Sequence, residues 1–209
     1  MMRQMLAAVA VSALMTAPVG ADDFDDAVAA FKGGDTDLAI MLFSRLADTN
    51  DGAAQANLAV LYALGQGITQ DDAEAYYWAW RARFSGELAA KGMIKLLKER
   101  LTEEGRTEVA GRLIKDLTDT AKRGDLGALT AIGRVYSEVS EPANPPEALL
   151  WFTVAAAFEA PHAALFREGT SQEISKQERL TIQARARQLF AEWCKKLPAE
   201  KLPVTCPSN

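Results

Sequence analysis

Residues 54–78 read AQANLAVLYALGQGITQDDAEAYYW. The stretch contains two alanine-rich apolar segments, and the glycines Gly65 and Gly67 lie between them. Glycines in this position end helices and form turns, and Asp71 lies where an N-capping side chain would begin a second helix. The stretch therefore predicts two helices joined by a short turn. Ala75 is small enough to let two neighbouring helices approach closely.

The pattern recurs along the chain at a nearly constant interval. Alanines that are followed three residues later by a bulky apolar residue are spaced 36, 35, 38 and 38 residues apart, at Ala39, Ala75, Ala110, Ala148 and Ala186. Clusters of Gly, Asp, Asn and Pro that break helices lie between them. Each interval has room for two helices, so the sequence predicts an all-α fold, an α-solenoid of about five antiparallel helix pairs.

The composition agrees with an all-α fold and excludes several functions. The 209 residues include 38 Ala and 23 Leu but only 10 Val and 7 Ile, which favours helices over strands. Lys and Arg total 23 against 28 Asp and Glu, so no overall positive charge is present to bind nucleic acid. One His and two Cys are too few for most zinc, haem or iron–sulfur sites. No cofactor and no metal site are predicted, and a metal site built from carboxylates alone is the alternative that this composition leaves open.

The first residues are typical of a secretory signal. Residues 1–21 combine the cation Arg3, an apolar run from Met5 to Met15 and a small-residue ending at Ala21. The apolar run is about half the ~20 residues that a membrane-spanning helix needs, which makes a permanent anchor the weaker alternative. We therefore predict a cleaved signal peptide and a periplasmic or secreted protein with no membrane span after cleavage.

The two cysteines have a structural interpretation in an exported protein. Cys194 and Cys206 are predicted to form a disulfide, because disulfides persist outside the cytoplasm. The alternative is a redox-active dithiol, but such pairs usually have the spacing C-x-x-C. The predicted organisation is a signal peptide over residues 1–21, a solenoid domain over 22–197 and a proline-rich tail over 198–209.

At this point the chain resembles a known family. The turn glycines, Asp71 and both helix patterns of residues 54–78, in a stretch that ends at Gly86, are similar to a Sel1-like repeat. Residues 132–157 are a second, less regular copy that retains Gly133, Tyr136, Ala148, Trp151 and Phe152. The remaining units resemble the related tetratricopeptide pattern only loosely. The resemblance implies a scaffold that binds other proteins, here a protein of the cell envelope or a secreted one, without naming the partner.

Two surfaces are candidates for partner binding. Tyr76 and Trp80 are four residues apart and share one helix face, and with Arg83 they form a candidate patch of the residue types that anchor interfaces. Packing of these aromatic residues against the next helix pair is the competing interpretation. In repeats of this kind the first helix of each pair usually lines the concave face. This nominates a second surface, which consists of Asn57, Leu61, Leu64, Arg134 and Glu138.

No catalytic residue is predicted. His162 lacks a nucleophile nearby in the sequence, and the acidic pairs lie at helix starts, where negative charge complements the helix dipole. Lys91, Lys95 and Lys98 share one helical face with flanking acidic residues, which is typical of an ordinary solvated surface. The leading hypothesis is an exported, non-enzymatic adaptor. The alternative is a cell-wall-associated hydrolase or peptidoglycan-binding protein, which converging acidic residues in a pocket, or His162 beside a Ser or Cys, would favour.

Overall fold

The computed structural model describes residues 21–206. Within this range it contains ten α-helices and no β-strand, which confirms the predicted all-α class. The helices are α1 (Ala21–Gly33), α2 (Thr36–Asp48), α3 (Gly52–Leu64), α4 (Asp72–Phe84), α5 (Ala90–Arg100), α6 (Glu103–Lys122), α7 (Gly127–Arg134), α8 (Pro145–Ala157), α9 (Ala163–Ser171) and α10 (Lys176–Trp193). A π-helical segment, Val135–Val139, continues directly from α7, and a 3-10 turn covers Ala199–Lys201.

The helices begin where the sequence provides capping side chains. The Asp35 carboxylate accepts a hydrogen bond from the Leu38 backbone N–H, and Asp71 accepts bonds from the first turn of α4. Ser175 caps α10 in the same way. Asp71 is the N-cap that the sequence analysis predicted. Such side chains satisfy backbone N–H groups that have no partner inside the helix.

The glycine pair between α3 and α4 forms a turn between helices, as predicted. Gly65 ends α3 with a positive φ of 66°, the left-handed conformation that glycine adopts without steric cost. Gly67 also has a positive φ. The glycine fingerprint of dinucleotide-binding folds follows a β-strand, whereas here the glycines follow helix α3.

Successive helices pack against one another along the chain, as in the predicted solenoid. Helices α1 and α2, α3 and α4, and α7 and α8 form well-packed neighbouring pairs, and α2 packs on α3. Helix α4 is central, since it also contacts α5 and α6, and α6 in turn contacts α7. Helix α8 contacts α9 and α10. The junction of α4, α6 and α7 therefore connects the two halves of the stack.

The core consists of two clusters of buried apolar side chains. One joins α1, α2 and α3, and includes Phe43 and Leu58. The other extends from α3 to the C-terminal tail. Trp78 is half-buried and packs against both clusters, so this side chain fills the space between neighbouring helix pairs.

The C-terminal tail is attached to the last helix by the predicted disulfide. Cys194 and Cys206 are bonded, with their Cα atoms 5.7 Å apart. Leu202 packs against the larger core cluster, so the tail contributes to the apolar interior. The predicted signal peptide, residues 1–21, lies outside the described residues except for Ala21, the first residue of α1. Within residues 21–206, no helix is both long and apolar enough to cross a membrane.

Candidate functional site

A cleft of about 320 Å³ opens at the junction of α4, α6, α7 and the α8–α9 turn. Its walls come from parts of the chain that are far apart in sequence. The polar side chains that line it belong to Asn50, Arg81, Ser85, Thr120, Asp125, Thr130, Arg134 and His162. Apolar side chains, among them Phe84, Leu117 and Phe166, line the remainder. The cleft thus combines polar hydrogen-bonding groups with apolar surface.

Arg81 is the most unusual residue of the cleft. It lies in the last turn of α4 and is only 9% exposed. Its Nη1 donates a hydrogen bond to the Tyr77 hydroxyl at 3.0 Å, and its Nη2 donates to Asn50 Oδ1 at 2.6 Å. Both acceptors are neutral. Among residues 21–206, no carboxylate lies within 4.0 Å of this guanidinium, although buried arginines are usually paired with one.

A network on α4 and α6 fixes the position of Arg81. The Tyr77 hydroxyl donates a hydrogen bond to Asp116 Oδ2 at 2.8 Å while it accepts the bond from Arg81. The guanidinium of Arg112 lies 3.9 Å above the Tyr77 ring, and Arg112 itself forms an ion pair with Glu74. A tyrosine hydroxyl is protonated at neutral pH and can act as a donor, and burial raises the pKa of the Tyr77 hydroxyl further above its ordinary value.

Asn50, the second hydrogen-bond partner of Arg81, connects two turns. Asn50 follows α2 and has a positive φ of 65°, which asparagine tolerates better than most residues. While its Oδ1 accepts from Arg81, its Nδ2 donates to Asp125 Oδ2 at 3.3 Å. Asp125 lies in the turn between α6 and α7. The two hydrogen bonds of Asn50 therefore link α4, the α2–α3 turn and the α6–α7 turn into one wall of the cleft.

Arg134 contributes the second guanidinium of the cleft. It is the last residue of α7 and is 7% exposed, yet it differs from Arg81 because a carboxylate pairs with it. Nε and Nη2 of Arg134 donate to the two oxygens of Glu138 at 2.6 and 2.9 Å. Its guanidinium also lies 5.0 Å from the ring centroid of Phe84 and 5.5 Å from that of Phe166. The charge of Arg134 is thus already paired with a carboxylate of the π-helical segment that follows α7.

The backbone after Arg134 is π-helical. The Ser140 N–H donates to the Val135 carbonyl, five residues earlier, at 2.9 Å. Single π turns are rare and occur frequently at functional sites. Here the π segment begins immediately after the arginine that lines the cleft.

His162 and Ser85 both line the cleft but do not form a catalytic pair. The Ser85 hydroxyl donates to Gln55 Oε1 at 2.9 Å, and no hydrogen bond joins it to His162 in the described part of the chain. His162 is exposed and has a left-handed backbone with φ of 60°. Asp125 is the one carboxylate among the lining residues, so no second acid converges on it within residues 21–206. In the same range, no group of three His, Cys, Asp or Glu side chains is placed to hold a metal ion.

The predicted aromatic patch is not exposed, which corrects the sequence-based prediction. Tyr76 is 1% and Trp80 is 5% exposed. Their rings pack edge to face at 6.1 Å, and Trp80 lies 5.5 Å from Phe84. The physical reason is that α4 is surrounded by α3, α5 and α6, so the face that carries Tyr76 and Trp80 meets a neighbouring helix. Arg83 remains half-buried at the edge of this region.

The second predicted surface is only partly accessible. Leu61 is buried in the core, which removes it from that surface, and Asn57 is half-buried and donates to the Ala53 carbonyl. Leu64 and Glu138 are exposed. Of the predicted binding residues, the structure places Arg134 in the cleft and leaves the others outside its lining.

The sequence analysis did not identify Arg81 as a functional residue. An arginine at a helix end is solvated in many proteins, so its position in the sequence gave no signal.

The predicted lysine stripe is exposed, and one of its members has a specific partner. Lys98 forms an ion pair with Glu141 at 2.7 Å, and Arg106 approaches the same carboxylate at 3.5 Å. The hydrogen bond from Lys98 lowers the pKa of Glu141 below its ordinary value of 4.5. This cluster joins α5 and α6 to the loop before α8, and it has a structural role.

Comparison with known proteins finds two segments that match a repeat family. The Sel1 repeat pattern matches residues 52–82 and 128–157. Among solved structures, the chain is similar to a protective antigen present in uropathogenic Escherichia coli strains that displays an SLR fold, with 15% sequence identity and a TM-score of 0.34. The similarity covers 90% of this chain and 49% of the antigen, so this chain spans about half of the antigen's length. No curated protein matched. Arg81 lies in the first matched segment, and Arg134 lies in the second.

Proposed function

We propose that the chain, two segments of which match the Sel1 repeat, acts as an exported, non-enzymatic scaffold that holds another protein of the cell envelope or a secreted one. The cleft between the two matched repeats is part of the surface that this partner contacts. Fold alone does not define a function, so the proposal depends on the site.

One observation carries the proposal. Arg81 presents a buried guanidinium with two neutral hydrogen-bond partners to an open cleft whose walls come from both repeats. Arginine and aromatic residues in partly buried positions are the usual anchors of protein interfaces. The engagement of Ser85 by Gln55 supports a binding role rather than nucleophilic catalysis.

Export is supported by two independent features. The disulfide between Cys194 and Cys206 is typical of proteins outside the cytoplasm. The predicted signal peptide over residues 1–21 has the same implication. A periplasmic or secreted location follows from the two together as part of the proposal.

Site-specific photo-crosslinking in cells that produce the protein tests the proposal. A photoreactive amino acid is placed at Ser85 or His162, two exposed positions that line the cleft, and at Gln188, an exposed position on α10. The expected result is one discrete adduct with the same protein from both cleft positions and none from position 188. Identical adduct patterns from all three positions, or no adduct at all, would overturn the proposal.

A further inference from the structure

We propose that the cleft is a carboxylate-binding pocket and that Arg81 receives an acidic side chain of the partner, whose apolar stem lies against Phe84 and Phe166. The inference rests on the proposed function only in assigning the carboxylate to a partner protein.

The positive charge of Arg81 is only partly compensated by the groups that surround it. A guanidinium has five N–H donors, and its bonds to Tyr77 and Asn50 use two of them. A charge that is removed from water and bonded only to neutral groups remains incompletely compensated. A carboxylate in the cleft would accept the remaining donors in the parallel, two-bond geometry that arginine favours.

The surroundings of Arg81 favour a single negative charge on the ligand. Arg134 is already bound to both oxygens of Glu138, so its charge is balanced by the segment that follows α7. Asp125 lines the same cleft and contributes one negative charge. A dianionic phosphate would bring two further negative charges against Asp125 with Arg81 as the main counter-charge. The cost of removing an ion from water rises with the square of its charge, whereas its attraction to Arg81 rises only in proportion to that charge, so the pocket selects a monoanionic carboxylate over dianionic phosphate.

The shape of the cleft specifies what carries the carboxylate. Phe84, Leu117 and Phe166 form an apolar wall in a space of about 320 Å³. This volume accommodates a benzene ring or the stem of one acidic side chain, and it lies at the lower end of the range of small-molecule sites. The ligand class is thus a carboxylate on an apolar stem.

The rigidity of the site reduces the cost of binding. Arg81 is held by Tyr77, Asn50 and, through Tyr77, by Asp116 before any ligand arrives. A donor that is already oriented loses little conformational entropy when the ligand binds. The network therefore preorganises the guanidinium to bind a carboxylate.

Titration calorimetry on the full mature chain tests this with three probes. Benzoate carries the carboxylate and an apolar ring, benzamide is its neutral counterpart, and inorganic phosphate is mainly the dianion when the titration is run at a pH above its second ionisation. We expect saturable 1:1 binding of benzoate, and binding of benzamide and phosphate at least tenfold weaker. Equal affinity for benzoate and benzamide, or tighter binding of phosphate, would overturn the proposal.

Variants locate the binding site in the cleft. His162 is exposed at the cleft and left-handed, a conformation that Asp and Asn both tolerate, so His162→Asp and His162→Asn form a matched pair that folds alike. The added charge of His162→Asp should weaken benzoate binding at least tenfold relative to His162→Asn, the uncharged variant of the same shape. Arg81→Gln should abolish binding, whereas Arg187→Gln, an exposed arginine on α10, should not alter it. Unchanged affinity in His162→Asp contradicts the proposal even where Arg81→Gln does not fold.

A peptide competition assigns the carboxylate to a protein. A capped pentapeptide with a central glutamate should displace benzoate, and the same peptide with glutamine should not. Benzoate binding without displacement by the glutamate peptide would assign the pocket to a small organic acid and overturn the inference.

Crosslinking from Ser85 and His162 is scored separately from benzoate binding. If adducts form but benzoate does not bind, the inference fails and the scaffold function stands; the reverse outcome overturns the scaffold function instead.

Discussion

Gly133 on α7 is in such close contact with Phe152 on α8 that a Cβ at position 133 would lie 2.5 Å from Cε1 of the Phe152 ring. Both residues are buried. The absence of a side chain at position 133 therefore allows the two helices of the second repeat to pack face to face. Position 133 lies one residue before Arg134, so the same contact sets the place from which Arg134 enters the cleft.

Gly133→Ala is expected to lower the free energy of unfolding by about 1–3 kcal/mol, because the phenyl ring or the helix must move to admit a methyl group. Gly111→Ala is the matched control. Gly111 is exposed inside α6, and a Cβ there would meet nothing within 4 Å. That change should raise the free energy of unfolding by about 0.5–1 kcal/mol, since alanine favours helix over glycine. Urea denaturation followed by circular dichroism measures both, and a destabilisation of the same size in the two variants would contradict the argument.

The sequence predicted the features that depend on local chemistry. Asp35, Asp71 and Ser175 cap helices because a short polar side chain satisfies nearby backbone N–H groups in almost any tertiary context. Cys194 and Cys206 had only each other as partners. The interval between the alanines predicted the helix pairs because a small residue at a fixed position lets two helices pack closely.

The features that depend on distant contacts were not predictable. A spacing of four residues placed Tyr76 and Trp80 on one face of α4, but whether that face meets solvent depends on α5 and α6, which follow in the chain. Arg81 is buried because Asn50, 31 positions away, accepts its hydrogen bond and because Asp116 orients Tyr77 from α6. Neither partner is marked in the sequence as a ligand of an arginine.

Glu141→Gln is expected to destabilise the protein by roughly 0.5–1 kcal/mol at neutral pH, because the carboxylate pairs with Lys98 and Arg106 at a partly exposed position. The pKa of Glu141 is lowered in the folded state, so its stabilising effect is present above pH 4.5 and is lost as the pH falls through the lower folded value. The difference between parent and variant should therefore disappear in acid. Thermal unfolding between pH 3 and pH 7 provides the measurement.

Glu173→Gln serves as the control for that series, since Glu173 is exposed and forms no ion pair with another described residue. Its difference from the parent protein should be near zero at every pH. A difference for Glu141→Gln that persists unchanged at pH 3 would show that the ion pair is not its cause.

Reduction of the Cys194–Cys206 disulfide is expected to cost about 3 kcal/mol, the entropy of a short loop that the bond closes in the unfolded chain. For a chain of this size the corresponding fall in Tm is roughly 6–12 °C. Differential scanning calorimetry with and without a reductant measures it. The double variant Cys194→Ser, Cys206→Ser should show the lower Tm in both conditions, and any response of that variant to the reductant would indicate a different origin.

Tyr77→Phe tests the network that holds Arg81. The change removes the hydroxyl that accepts from Arg81 and donates to Asp116, and it leaves both groups without that bond in a buried place. We expect a loss of about 1–3 kcal/mol in the free energy of unfolding. Tyr136→Phe is the matched control, because Tyr136 is half-buried and its hydroxyl has no hydrogen bond to another described residue; it should cost less than about 0.5 kcal/mol. Benzoate affinity should fall in Tyr77→Phe and stay unchanged in Tyr136→Phe, since only the first releases the guanidinium. If Tyr77→Phe loses stability but binds benzoate like the parent protein, Tyr77 supports the fold without positioning Arg81.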